Sequence, residues 1–490
     1  MATRVRFSMT AFLQVTLAIV AVLLFSPNSL LSADDATQGK DVAKLKSRLP
    51  MLQLAAAAHE AQIKVLVERG KSYQYQLLAG DNKTVQPVSI AALGWGNSPH
   101  IIHHLSFSGL QARHQYILQV KDPTTAKLLD SRTLQTLSLA DGGKSVRFAV
   151  ASCMYDKYEE QRSVWSVLAA QKPDLILMIG DNVYADKDIA GESFTRGQGK
   201  QAYTQEIATP AELWRRYAET RKTLAIFHNE HLIPVHAVWD DHDYGMNNGD
   251  RTYPYKHQAK AIFKTFFHGH ATAGVHMSGL GVGSYLRLGD FGFFMLDNRF
   301  FRSPNANAHT GKVARTAAGD AAHFGEQQLA WLRNHLRGRK HAFLFAGNQW
   351  FADYHRFESF ANNHPNRLQH FIAKLKTVPT KLLFFSGDRH LSEIMALPAS
   401  QYLGYQTYEF TSSPIHAKVY PSDWDKTPNK LQQRGVSEQY NFLLLNAALT
   451  KDAKDKEAKG NGYDNKLTIN TSAMNHKGET LFTHAAHIDF

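Results

Sequence analysis

Between residues 146 and 387 six short apolar runs recur: "VRFAVAS", "PDLILMIG", "LIPVHAVW", "FGFFMLD", "HAFLFAG" and "KLLFFSG". Runs this short, rich in β-branched and aromatic residues and without polar alternation, read as strands buried on both faces. Helical spacing appears between several of them. In "EEQRSVWSVLAAQ" Val164, Trp165, Leu168 and Ala169 fall on one face, and residues 212–222 and 326–337 also read as helices. Strands alternating with helices predict an α/β fold whose sheets are covered on both faces. The pieces "NFLLLNAA", "KLTINTSAM" and "TLFTHAAHIDF" read as closing strands, with "TKDAKDKEAKGNGYDNK" as a solvated loop before the second.

The runs end alike. The first leads into Cys153, the second into Asp181 with Tyr184 three residues on, and the third into Asp240, Asp241, His242 and Asp243. The others lead into Asp297 and Arg299, into Asn348 and Gln349, and into Asp388 and His390. Ligands of open α/β sheets gather outside the carboxyl ends of the strands. Three carboxylates around one imidazole repel one another unless cations or hydrogen bonds neutralise them. Taken singly, each element is also a turn, a helix cap, a packed tyrosine or a buried core cysteine. Taken together, on successive strands, they point to a multi-metal site.

Residues 50–140 read differently. "IKVLVERG", "SYQYQLLAG", "IIHHLSFSGL" and "HQYILQVKD" predict a small all-β unit. Leu110 stands six residues before Tyr116 and an alternating strand follows. This resembles the tyrosine corner of fibronectin-type and immunoglobulin-like sandwiches. "LADGGKS", residues 139–145, reads as the linker to the rest of the chain.

The chain has 490 residues, enough for two domains. Its net charge of +12 suits anionic ligands, but no dense Lys/Arg stripe is interleaved with aromatics. Specific nucleic-acid binding is therefore not expected. Arg4 and Arg6, an apolar run over residues 9–25 and small residues up to Ala33 form the pattern of a signal peptide over residues 1–33. The alternative is an uncleaved anchor, which would be the expected membrane contact. Either way the protein is expected in the periplasm or secreted, and as a monomer. Cys153 is the only cysteine, so no internal disulfide forms.

The order Gly180-Asp181-x-x-Tyr184, then Asp-His after a strand, then Gly387-Asp388-x-His390 resembles the metallophosphoesterase superfamily. "GDNVYAD" is similar to the purple acid phosphatase motif. Trp-Asp-Asp-His in place of Gly-Asn-His, Gly-Asp-x-His in place of Gly-His-x-His, and Cys153 in place of an Asp motif instead resemble the PhoD-like alkaline phosphatases. So do "LDNRFFR", "FGEQQLAWLRNHL" and the closing "NFLLLN" and "GETLF" segments. The resemblance covers residues 146–490 and implies a layered sandwich with helices over a central double β-sheet, preceded by the small β-sandwich.

It also implies ferric iron with calcium. Cys153 would be a thiolate and Tyr184 a phenolate ligand of iron, and Asp181 would bridge metals. Asp388 and His390 would complete the cluster. Asp241 takes the place of the motif's asparagine, and Asp240, Asn247 and Gln349 are further candidates. Hard oxygens suit ferric iron or calcium, and a thiolate needs a transition metal. The implied activity is hydrolysis of small-molecule or lipid phosphate mono- or diesters by metal-activated water. His242 would serve the leaving oxygen. Arg299 or Arg302 would bind phosphoryl oxygens, or else form an ordinary salt bridge. The alternative function is non-catalytic binding of a metal or anion on a degenerate phosphatase fold; another is adhesion through the β-sandwich.

Overall fold

Each of the six apolar runs holds a strand: Ser145–Ala151, Leu175–Ile179, Val235–Val238, Phe291–Met295, His341–Phe345 and Lys381–Ser386. The first three pair in parallel, with Phe148 opposite Leu175 and Ile176 opposite Val235. The last three also pair in parallel, and Thr407–Thr411 joins them. Parallel strands are covered on both faces, which accounts for their lack of polar alternation. The structure, a computed structural model, describes residues 48–490 except 82, 140–142, 159–160, 197–201, 273, 278, 280, 306–321, 355–358, 421–427 and 451–465. The leader expected over residues 1–33 lies outside the described residues. Among the described residues no helix is long and apolar enough to cross a membrane.

The two sets of parallel strands sit in two large sheets, of ten and eight strands among the described residues. Phe148 of the first meets Phe293, Phe343 and Phe385 of the second, at ring-centroid distances of 5.4, 5.7 and 6.1 Å. The two sheets therefore share one apolar core. Helix Gln161–Ala170 buries Val164, Trp165 and Leu168 in that core, as its spacing predicts. Helices Glu326–Leu336 and Pro365–Leu375 pack Leu332, Phe371 and Leu375 with Phe294, Leu344 and Phe384 in a second core. Helix Pro210–Thr223 starts at a capping box of Thr209 and Glu212 with Pro210 behind the cap.

The tail strands Asn441–Thr450, Lys466–Asn475 and Thr480–Asp489 add to the ten-stranded sheet, starting on Ser145–Ala151. Strands from residues 51–108 add to its other side. Met51–Leu54 pairs with Glu60–Glu68 and, through Leu54 and Val235, with the parallel strands. Gln74–Leu78, Thr84–Val85, Gln115–Lys121 and Leu128–Gln135 form a five-stranded sheet with His231–Leu232. Ile63, Val65, Leu77, Leu118 and Val120 pack with one another in a core of their own. Tyr116 is buried there, and its hydroxyl accepts from the Gln111 N–H at 2.9 Å. The sheet thus runs unbroken past the expected linker, because the strand edges pair across it.

Phe148 fills the space between the sheets and is fully buried. Phe148→Ala is expected to lower stability by about 3–5 kcal/mol. The midpoint of urea unfolding, at unchanged slope, measures the loss.

Candidate metal centre

Strand geometry brings the ligand-type residues together. The three strands of the first sheet deliver Cys153, Asp181 and Asp240–Asp243 at one end, and Lys381–Ser386 of the second delivers Asp388 and His390 there. Among the described residues three groups have ligand atoms within 4.8 Å of one another: Cys153, Asp181 and His390; Asp181, Asp241 and His242; Asp240, Asp241 and Asp388. Asp181 and Asp241 each belong to two groups, so the three are contiguous. The Tyr184 hydroxyl lies 3.3 Å from His390 Nε2, beside the first group. The thiol, the phenol, the imidazole and the four carboxylates expected as ligands are thus in one place.

The turns that carry them are tight. Cys153, Asp181, Asp388 and His390 all have left-handed backbone, with φ of 58°, 52°, 66° and 51°. Such residues cost on the order of 1–3 kcal/mol each and persist where the surroundings fix them. The Cys153 N–H donates to the Gly180 carbonyl and the Met154 N–H to that of Asp181, at 3.2 and 2.9 Å. The Ser413 hydroxyl accepts from the His390 N–H at 3.0 Å and lies 3.1 Å from the Cys153 sulfur. Two glycines make room for Asp240. A Cβ on Gly180 would meet its Cβ at 2.6 Å, and one on Gly347 would strike its carboxylate.

The four neighbouring acids have different surroundings. Asp240 Oδ1 accepts from Arg299 Nε at 2.5 Å and Asn298 Nδ2 at 2.7 Å. Asp241 Oδ2 accepts from the Asn248 N–H at 2.6 Å. Burial opposes its charge, but His242, Arg299 and that N–H hold it well below the usual carboxylate range. Asp243 faces inward. It accepts from the N–H groups of Asp240 and Val183, both at 2.9 Å, and so ties two of the turns together. Burial pushes it up to about 8. Asp297, also at a strand end, accepts from Trp239 Nε1 and from the N–H groups of Val282, Arg299 and Phe300. Its role is to fix a turn.

Arg299 makes an ion pair with Asp240. The side chain is wholly buried, Nη1 donates to the Gly249 carbonyl at 3.2 Å, and Nη2 lies 3.9 Å from Asp241. Arg302 is also buried and donates to the side-chain oxygens of Asn305 and Asn363. Gln349 donates to Glu393 and Thr411 at 2.7 and 3.0 Å.

Asp186 is a site residue that strand-end reasoning missed. Its Oδ1 lies 2.7 Å from His242 Nδ1, and it is buried. With Nδ1 engaged by a carboxylate, Nε2 is the polar atom left on the ring. The Tyr184 ring stacks on His242 at 4.2 Å and 24°. The signal was present in "GDNVYAD", where a second acid closes the turn.

The family model for PhoD-like phosphatases matches residues 148–453. The chain belongs to the PhoD-like phosphatase family. Among solved structures it is similar to one described as "Structure of PhoD", at 16% identity over 90% of this chain and 92% of that one, with a TM-score of 0.63. That likeness shows a common fold. Similarity to a Thermus thermophilus protein, TT1561, covers 55% of this chain and 89% of that one, at 12% identity and a TM-score of 0.28, and adds nothing to the fold comparison. No curated protein matches the chain.

The donors fit a polynuclear metal set for a PhoD-like phosphatase. Burial, and then the neighbouring Asp241, Asp240 and Asp243, push Asp181 well above the usual carboxylate range against the pull of His242. Burial and the Asp181 carboxylate push the Cys153 thiol up. Burial lowers His390 to about 4, leaving the neutral imidazole that can ligate. Anionic donors crowded out of water in this way call for cations. Gly347→Ala, which would displace Asp240, is expected to weaken metal binding by about tenfold or more, the scale seen when supporting residues of metal sites are changed, and so to lower the metal kept after dialysis against a competing chelator. Elemental analysis beside an unchanged circular dichroism spectrum tests this.

Proposed function

We propose that the chain is an exported, metal-dependent phosphate ester hydrolase of the alkaline phosphatase type, acting on mono- or diesters. The observation that carries this reading is the convergence of the three overlapping ligand groups at one end of the strands, in a chain of the PhoD-like phosphatase family. The donor chemistry supports ferric iron beside Cys153, Asp181, Tyr184 and His390, and calcium beside the carboxylates Asp240, Asp241 and Asp388. The leader pattern of residues 1–33 supports export to the periplasm or beyond.

When bound, the cations supply charge neutralisation at phosphoryl oxygens and a water of lowered pKa. The protein's own groups do the rest. Asp186 holds His242 by Nδ1, and the stacked Tyr184 ring limits its tilt. Nε2 is then the atom from which a proton passes to the leaving oxygen. Arg299 holds Asp240 in place, which preserves the shape of the all-carboxylate group. Asp241, held by the Asn248 N–H, spans two of the groups.

Purified protein is expected to contain iron and calcium, to absorb visible light through thiolate or phenolate charge transfer, and to hydrolyse aryl phosphates at alkaline pH. Chelator treatment should abolish hydrolysis. Asp181→Asn should lower kcat/KM on the order of a hundredfold or more, the scale of losing one group that stabilises transition-state charge. Cys153→Ala should lose iron together with activity. Full hydrolysis by metal-stripped protein would overturn the proposal.

A further inference from the structure

Two tyrosines lie one ring contact beyond the candidate ligands Tyr184 and His390. Tyr184 and His390 stand side by side at 3.3 Å. From Tyr184 the next ring is Tyr155, at 4.9 Å and 46°. From His390 the next ring is Tyr420, at 5.5 Å and 33°. Exposure rises along both steps: Tyr184 is 5% exposed, Tyr155 is half-buried, and Tyr420 is 51% exposed. Each rim ring is also held. The Tyr155 hydroxyl donates to Asp188 at 2.8 Å, and Asp188 lies 3.8 Å from Lys157. Lys418 Nζ lies 5.0 Å from the centroid of the Tyr420 ring. A single exposed aromatic on a surface calls for no explanation. Two that each stand one ring step from a candidate ligand of the same centre present accessible π-faces close to it.

Resting on the phosphatase reading above, we propose that Tyr155 and Tyr420 form a leaving-group subsite that stacks a planar aromatic ring. The favoured substrates would then be phosphate esters whose alcohol carries such a ring. Nucleosides and aryl-substituted alcohols share this chemistry. Stacking on tyrosine is tolerant of ring identity, because every such ring presents a π-face. Lys418 beside Tyr420 adds attraction for further negative charge on the substrate.

The test compares two pairs of esters with alike leaving alkoxides: adenosine 5′-monophosphate against ribose 5-phosphate, and benzyl phosphate against cyclohexylmethyl phosphate. In the metal-loaded wild type, kcat/KM is expected to favour the aromatic member by roughly tenfold, the scale of one stacked ring. Tyr420→Ala should bring the ratio close to one, mainly through KM, and Tyr420→Phe should restore it. A preference confined to the nucleotide pair would identify nucleosides as the source of the ring. A preference in both pairs would extend it to aromatic alcohols in general. Hydrolysis of all four esters with ratios near one, or a ratio unmoved by Tyr420→Ala, would overturn the subsite and leave the phosphatase reading intact. If none of the four is cleaved, the methyl phosphodiesters of the same four alcohols take their place with the same ratios expected, and failure to cleave those as well would overturn both.

Discussion

The Arg299–Asp240 ion pair joins the carboxyl ends of the two sheets. Asp240 follows Val235–Val238 of the ten-stranded sheet, and Arg299 follows Phe291–Met295 of the eight-stranded one. Asn298 donates both to Asp240 and to Asn348, each at 2.7 Å, and so draws in the loop after His341–Phe345. A buried pair of this kind adds little net stability, since desolvation offsets most of the Coulombic gain. Removing one partner is another matter and costs about 3–5 kcal/mol, because a charge is left buried. The pair therefore fixes position more than it stabilises. It sets where the strand ends of one sheet lie against those of the other, and the distances in the ligand groups follow from that.

A second layer of buried acids supports the same loop. Glu409 accepts from the N–H groups of Trp350 and Phe351, both at 2.9 Å, and from the Ser386 hydroxyl at 2.7 Å. Glu393 accepts from Gln349, Tyr354, Asn429 and Gln432. Burial pushes Glu409 up to about 7 in spite of these donors. A carboxylate that accepts two successive backbone N–H groups leaves little freedom to residues 349–351. The restraint passes from Glu409 through that loop to Asn348, then Asn298, then Asp240.

The strands and the metal-competent residues at their ends were legible in the sequence because burial on both faces leaves an apolar run that stops where the backbone leaves the sheet. Cys153, Asp181, Asp241, Asp388 and His390 could be picked out for that reason. The division of labour among Asp240, Asp241 and Asp243 could not. The three residues are chemically alike, and only the local helical turn sends Asp243 inward while Asp241 faces the cluster. Adjacent residues after His341–Phe345 divide in a similar way: Asn348 reaches the network around Asp240, and Gln349 points to Glu393. The union of the N-terminal strands with the larger sheet was invisible because it rests on a register between Leu54 and Val235, far apart in the chain. Alternation identifies a strand but not its partner. The Tyr116 corner was readable because both ends of that contact lie within six residues.

Folding and metal loading are linked through the same atoms. Without cations the cluster relieves its repulsion by keeping protons: burial and neighbouring acids push Asp181, Cys153 and Tyr184 toward their neutral forms. A cation entering the cluster displaces those protons, so loading releases protons and adds its binding free energy to the stability of the folded chain. Part of that free energy offsets the left-handed turns at Cys153, Asp181, Asp388 and His390. Hydrogen bonds within the protein also hold these loops: the Ser413 hydroxyl accepts from the His390 N–H, and the Gly180 and Asp181 carbonyls accept from the N–H groups of Cys153 and Met154. Those loops are accordingly held in part by the fold itself, and a bound metal exchanges protons for charge at donors the fold has already brought together.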